Sequence, residues 1–162
     1  RGCFRVAPLG YLTKGFIMGI TTAMCTSFKS EVLGGIHDLD TNSIKLALIK
    51  ASPSGTYGAA TTNYSDVTGN SDESSGTNYT AGGNVLDSAA ISVSGTTAIV
   101  DFADETFADV TTSADGCIIY NASQSNKAIA VIDFGGTVSA TAGDLTIEFP
   151  AAGASTAIIR IA

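Results

Sequence analysis

The sequence predicts an all-β, single-domain protein, a β-sandwich or jelly-roll-like module with one short N-terminal helix. From residue 44 onward, β-branched and apolar residues recur with the two-residue period of half-buried strands. The chain contains 18 glycines, and pairs of Gly, Ser, Asn and Asp separate the apolar runs as tight-turn residues do. With 44% hydrophobic and 14% charged residues in a chain of 162, the composition is typical of one packed core and not of a disordered segment.

The first 17 residues stand apart from this pattern. Met18 opens a sensible coding start, so residues 1–17 are interpreted as an upstream or leader segment and residues 18–162 as the β-domain. An alternative interpretation takes residues 1–25 as an export signal, because the apolar run 15–25 follows a lysine and has the length of a signal-peptide core. That run is too short for a transmembrane helix, which needs about 20 apolar residues.

One helix is predicted over residues 27–33. Ser27 is a suitable N-cap, Phe28 and Val32 lie one turn apart with Leu33 beside them, and a Gly-Gly pair ends the segment. A helix of about two turns is not stable alone and must pack against another surface. We therefore expect Phe28, Val32 and Leu33 to form an apolar stripe that docks on a partner protein.

Strands are predicted wherever apolar residues alternate between turn residues. The first begins at Ile44 and ends before Pro53. The others cover residues 89–94, 97–102, 116–121, 127–134, 144–149 and 156–161. The predicted core consists of large aliphatic residues on these strands: Ile44, Leu46, Leu48, Ile99, Ile118, Ile129, Val131, Ile147 and Ile159.

The segment 52–84 is predicted to be a long loop. It is rich in Ser, Thr, Gly, Asn and Tyr and poor in large aliphatic residues. Its length suggests an arm that reaches toward a partner. The pair Gly82-Gly83 is predicted to make a turn or bulge before a strand that starts at Asn84.

The charge distribution disfavours nucleic acid as a partner. The net charge is -7, and the segment from residue 51 onward carries twelve acidic residues against two basic ones, Lys127 and Arg160. Such an acidic surface repels a phosphate backbone. Because the sequence has no apolar run of membrane-spanning length, no membrane partner is predicted either.

The sequence predicts no metal site and no cofactor. Cys3, Cys25 and Cys117 are far apart and form no CxxC pair, so zinc has no ligand set, and Cys117 is expected to be a small buried hydrophobe.

The segment that starts at His37, HDLDTN, is similar to the opening of a calcium loop. A calcium loop that starts at Asp38 and continues through Asp40 and Asn42 requires Gly at its sixth position and an acid at its twelfth. The chain has Ser43 and Ile49 there, so a polar turn between the helix and the first long strand is favoured.

No catalytic pattern emerges, and the chain is predicted not to be an enzyme. A Ser-His-Asp triad would have to use His37, yet no GxSxG elbow or phosphate-binding glycine loop occurs. Asp101, Asp104 and Glu105 lie close in sequence, but they lack the aromatic platform that a glycosidase needs and are interpreted as solvated acids at a turn.

Taken in order, a series of strand motifs resembles small virion structural proteins of tailed bacteriophages. The motifs are SFKSEVL, SIKLALIKAS, YTAGGNVL, AIVDFADETF, GCIIYN, KAIAVIDFGG, GDLTIEFP and AIIRIA, which together cover about Met18 to Ala162. The resemblance implies a capsid decoration (cement) protein located in the virion, which binds other virion proteins of a capsid or tail lattice and forms a homo-oligomer. Two alternatives stay open: a tail-associated phage structural protein, and a secreted bacterial surface β-domain.

Overall fold

The computed structural model describes residues 19–87 and 89–162, so the predicted leader segment 1–17 and Cys3 lie outside the described residues. Strands dominate the part of the chain described, which confirms the all-β, single-domain prediction. The elements are β1 (Ala23–Met24), α1 (Thr26–Leu33), β2 (Ile44–Lys50), α2 (Ser65–Gly69), β3 (Asn84–Val85), β4 (Ala90–Ser94), β5 (Thr97–Asp101), β6 (Glu105–Asn121), β7 (Lys127–Ile147) and β8 (Ile159–Ile161).

The strands form two antiparallel sheets around one hydrophobic core. The larger sheet has the order β1-β7-β6-β2-β3, and the smaller has the order β4-β5-β8. Val100 and Ile159 of the small sheet belong to the same buried cluster as the central strands of the large one. All nine residues of the predicted core are buried, and Cys117 is buried as expected.

The long hairpin β6–β7 is the main difference from the predicted strands. The segments 116–121 and 127–134 were predicted, but the strands extend over 17 and 21 residues, so that residues 105–115 are also in β6 and the predicted strand 144–149 is largely the end of β7. The paired strands contain four register shifts, one of them at Asp109, which has a positive φ of 51°. These bulges break the simple alternation by which a strand is recognised in the sequence.

The segment 52–84 is not a free arm. It contains α2, and its residues Tyr57, Val67 and Asp72 are buried. Residues 72–74 continue the large sheet beside β2, because the Lys50 N–H donates to the Asp72 carbonyl at 2.8 Å and the Ser74 N–H donates to the Leu48 carbonyl at 2.9 Å. The expectation of a reaching loop is therefore wrong: the segment covers an edge of the domain's own sheet.

The predicted turn before β3 is confirmed, and the structure shows why glycine is needed there. Gly82 and Gly83 have φ values of 90° and 64°. A Cβ atom on Gly83 would lie 1.8 Å from the carbonyl oxygen of Leu46. The close approach of this turn to β2 thus requires a residue without a side chain.

Candidate protein-binding surface

Helix α1 is positioned by the strand that precedes it. β1 pairs with β7, and the Cys25 N–H donates to the Ile129 carbonyl at 2.9 Å, which places the helix start beside the large sheet. The predicted Ser27 cap is wrong: the helix begins at Thr26, with Cys25 at the N-cap and no side-chain cap. The predicted end is confirmed, since Gly34 is the C-cap and Gly35 has a positive φ of 70°.

The three predicted docking residues lie in different surroundings. Phe28 is fully buried, and its ring meets the His37 ring edge-on, with the centroids 4.9 Å apart. Val32 is partly buried against the same core, whereas 86% of Leu33 is exposed. The apolar stripe is therefore corrected: Phe28 stabilises its own domain and is not available to a partner, and only Leu33 of the three stands clear of the core.

A network of polar side chains connects α1 to β7 and to His37. The Glu31 carboxylate receives hydrogen bonds from Lys127 on β7 and, at 3.0 Å, from His37 Nε2. Burial opposes ionisation of Glu31, but the bonds from Lys127 and His37 outweigh it and lower the pKa of the carboxyl. The helix is thus tied to the large sheet by charge as well as by apolar contact.

The same network sets the tautomer of His37. Asn121 Oδ1 accepts from the Ser123 N–H at 3.1 Å, so the Asn121 amide directs Nδ2 toward Asn42 Oδ1 and His37 Nδ1. His37 Nδ1 must then be an acceptor, and the ring proton lies on Nε2, which donates to Glu31. His37 is a structural side chain within this network.

We expect His37→Ala to lower the free energy of unfolding by about 1–3 kcal/mol, because the buried Asn121 amide loses a partner and the Phe28 ring loses a contact. Chemical denaturation monitored by circular dichroism measures this change. Asp40→Ala, an exposed substitution in the same turn, is the control and should stay within about 0.5 kcal/mol of the parent. Equal stability of the two variants would contradict the structural role of His37.

Four large apolar side chains form an exposed surface beside α1, here called the apolar surface: Leu33, Ile91, Val93 and Ile161. Their exposed fractions are 86%, 57%, 73% and 50%. Ile91 pairs with Val100, which pairs with Ile159, and Val93 pairs with Ala98, which pairs with Ile161. Directly paired residues share a face of an antiparallel sheet, so both rows lie on one face of the small sheet.

Two grooves connect Leu33, Ile91 and Ile161 of the apolar surface, whereas Val93 lines neither groove and lies two residues from Ile91 on the same face of β4. One groove of about 280 Å³ lies between α1 and the small sheet and is lined by Val32, Ile91 and Ile161. A second groove of about 390 Å³ shares Val32 and Ile161 with the first and extends to Leu33 and Arg160. Exposed apolar patches of this kind mark protein contact sites.

The sequence did not single out Ile91 and Val93. Their run, AISVS, has the same alternation as the buried strands and ends in the same kind of turn. What exposes them is the position of β4 at the edge of the small sheet, which depends on pairing with β5 and is not encoded in the run itself.

The acidic segment after β5 is held by hydrogen bonds from one backbone N–H group and one side-chain amide. Asp104 accepts a hydrogen bond from the Phe149 N–H at 2.8 Å, and Glu105 accepts one from Asn84 Nδ2 at 2.7 Å. Two of the three carboxylates considered as candidate glycosidase acids therefore bind neighbouring segments, Asp104 the segment after β7 and Glu105 the strand β3.

The segment around Asp38 forms a polar turn, as predicted. Asp38 accepts hydrogen bonds from the N–H groups of Asp40 and Thr41 and from the Thr41 hydroxyl at 2.6 Å, and Asn42 is bound to Asn121. Over residues 19–87 and 89–162, no group of three or more His, Cys, Asp or Glu side chains is arranged to hold a metal ion.

The two described cysteines are buried free thiols. Burial raises the pKa of the Cys25 thiol to about 12 and also raises that of Cys117. Since the thiolate is the reactive form, neither sulfur is suited to nucleophilic chemistry at neutral pH.

None of the helices in the described part of the chain is long and apolar enough to cross a membrane. Comparison with protein-family models, with curated proteins and with solved structures found no match to this chain.

Proposed function

We propose that this chain is a virion structural protein, a capsid decoration protein of a tailed bacteriophage, which attaches to the capsid lattice through its apolar surface. The observation that carries the proposal is the exposure of Leu33, Ile91, Val93 and Ile161 beside a well-packed two-sheet core. A rigid domain that exposes one such surface is suited to bury it against another protein. The resemblance of the strand motifs to small phage structural proteins supports the choice of partner.

The basic residues beside the apolar surface indicate which charge the matching site on the lattice should carry. Lys29 and Arg160 line the groove that contains Leu33, although most of the chain is acidic. An apolar lattice site with carboxylates at its rim would match this arrangement. Rim charges of this kind steer association and fix orientation more than they add affinity.

The test is to locate the protein on purified particles. We expect quantitative mass spectrometry to find it in a fixed ratio to the major capsid protein, and electron microscopy to place it on the outer capsid surface. Recovery of the protein on tails would favour the tail-associated alternative. Its absence from particles and release into the culture medium would overturn the proposal.

Leu33→Lys should reduce attachment to particles by about 30-fold or more, because a truncated or charged hot-spot side chain typically costs about 2 kcal/mol or more. Co-sedimentation of purified variants with particles that lack the protein measures the loss. Val85→Lys is the matched control, since Val85 is also exposed but lies on β3 at the edge of the large sheet. Equal attachment of both variants would exclude Leu33 from the contact.

A further inference from the structure

The small sheet has an edge that is unusually open to pairing. β4 is bonded on one side to β5, and its outer side has no neighbouring strand among the described residues. Every residue from Ala90 to Val93 is exposed. The outer edge thus presents backbone N–H and carbonyl groups next to two large apolar side chains, Ile91 and Val93.

β4 differs from the other sheet edges in the described part of the chain, which carry features that hinder pairing. Beyond Val131 the outer side of β7 also has no neighbouring strand in that part of the chain, but it carries Asp133 and Asp144 and its pairing with β6 contains register shifts. β1 and β3 are only two residues long, and β8 is three residues long with Arg160 at its centre. β4 has five residues, Ala-Ile-Ser-Val-Ser, without a charge, a proline or a register shift against β5. Short strands, charges and prolines are the usual means by which soluble proteins prevent edge pairing.

We propose that β4 pairs antiparallel with β4 of a second copy of this chain, about a two-fold axis at Ser92, to form one six-stranded sheet. In this register Ile91 lies opposite Val93 of the second copy, and Ala90 lies opposite Ser94 of the second copy. The contact is isologous, so it closes as a dimer and does not propagate into a fibre. The inference deepens the proposed function by naming the contact through which the protein forms a homo-oligomer, but its test measures self-association and not attachment to a particle.

The proposed register continues the apolar rows of the small sheet across the axis. The known pairings give, in order, Ile159, Val100 and Ile91 of one copy, followed by Val93, Ala98 and Ile161 of the other. By the two-fold symmetry the same row occurs twice. Ile91 and Val93, which are exposed in the single chain, each gain an apolar neighbour on the second copy.

The opposite face of the sheet carries no charge conflict in this register. Asp101 pairs with Ala90, and Ala90 would lie opposite Ser94 of the second copy. The residue in line with Asp101 across the contact is therefore a serine and not an acid. Arg160 pairs with Ile99, which pairs with Ser92 on the axis, so the two arginines are five strand spacings or about 24 Å apart. That distance exceeds the Debye length of about 8 Å at physiological ionic strength.

A second copy fits this edge better than a charged peptide does. β4 has no charged side chain that would select a partner by electrostatics, and a strand that alternates apolar and small polar residues is its natural complement. The sequence Ile-Ser-Val reads nearly the same in both directions about Ser92, so β4 supplies that complement itself.

The experiment is analytical ultracentrifugation of the full chain between about 1 and 100 µM, a range chosen because a single strand pair is a small interface. We expect a monomer–dimer equilibrium in the parent chain. Val93→Lys should weaken the dimer at least tenfold without changing the thermal melt, because Val93 is exposed in the single chain. Val85→Lys, on an edge strand of the large sheet, should dimerise like the parent.

A cross-link tests the register independently. In a Cys3→Ser background, Ser92→Cys should form an intermolecular disulfide under mild oxidation, because paired Cα atoms in antiparallel strands lie about 4.5–5.5 Å apart, within disulfide range. Val85→Cys should not. A parent chain that stays monomeric at the highest concentration, or an oligomer that tolerates Val93→Lys and gives no Ser92→Cys cross-link, would overturn the inference. A parent chain that dimerises but does not attach to particles would count against the proposed function alone.

Discussion

Replacing Phe28 with aspartate should unfold the domain. The Phe28 side chain is fully buried, packs edge-on against His37 and belongs to the main hydrophobic core. Truncating a buried Phe typically costs about 3–5 kcal/mol, and an unpaired carboxylate in its place costs more. Because small domains are stable by only about 5–15 kcal/mol, we expect loss of the cooperative thermal transition or a large fall in its midpoint, measured by circular dichroism.

Leu33→Asp is the matched control for Phe28→Asp. It introduces the same charge on the same helix, but 86% of Leu33 is exposed, so the melt should stay within about 0.5 kcal/mol of the parent. From the sequence alone, Phe28→Asp is expected to abolish attachment while the β-domain stays folded; the burial of Phe28 reverses that expectation. A normal melt for Phe28→Asp would contradict its place in the core.

Asp72→Asn should lower the free energy of unfolding at pH 7 by about 2–4 kcal/mol. It replaces a buried carboxylate, each of whose hydrogen-bond partners is a donor, with an amide that has only one accepting oxygen. The carboxylate receives hydrogen bonds from the N–H groups of Ser54 and Gly55 at 2.9 and 2.7 Å and from the Tyr57 hydroxyl at 2.6 Å. Lys50 lies 2.9 Å from it. An asparagine at this position would direct two amide protons at groups that are themselves donors. Denaturant unfolding measures the loss.

The contribution of Asp72 to stability should also depend on pH. Burial opposes its ionisation, but the hydrogen bonds from Ser54, Tyr57, Lys50 and Gly55 prevail and lower the pKa of the carboxyl far below its usual range. A group with a lowered folded-state pKa contributes stability above its unfolded pKa of about 3.9, and that stability is lost as the pH falls further.

The parent should therefore lose stability between about pH 5 and pH 3, and Asp72→Asn should lose less over the same interval. Asp40→Asn, at an exposed carboxylate, should keep the pH dependence of the parent. Parallel pH profiles for the parent and Asp72→Asn would show that Asp72 does not carry this stability.

The sequence sufficed where apolar residues alternate regularly. Ile44, Leu46 and Leu48 are recognisable as a strand because their spacing alone places them on one buried face, and all three are in the core. The same holds for Ile129 and Val131 at the start of β7. In these runs the pattern and the packing give the same result.

The sequence did not suffice where tertiary contacts replace apolar alternation. The composition of 52–84 does not indicate that Asp72 accepts hydrogen bonds from Ser54, Gly55 and Tyr57. These bonds hold the segment against the sheet. Likewise, the helix pattern identified the apolar residues of α1 but could not show that Phe28 faces inward. Periodicity identifies a face of an element, and only the packed structure shows what covers that face.

The central position of β6 has a consequence for how the domain opens to solvent. β6 is bonded to β7 on one side and β2 on the other, and its residues 116–121 are all buried. We expect their amides to exchange with water only when the whole domain unfolds, and those on the outer side of β4 to exchange through local fluctuations. The strand proposed for self-association is thus expected to be among the least protected from exchange. Pairing with a second copy should slow exchange in β4 and leave exchange in β6 unchanged.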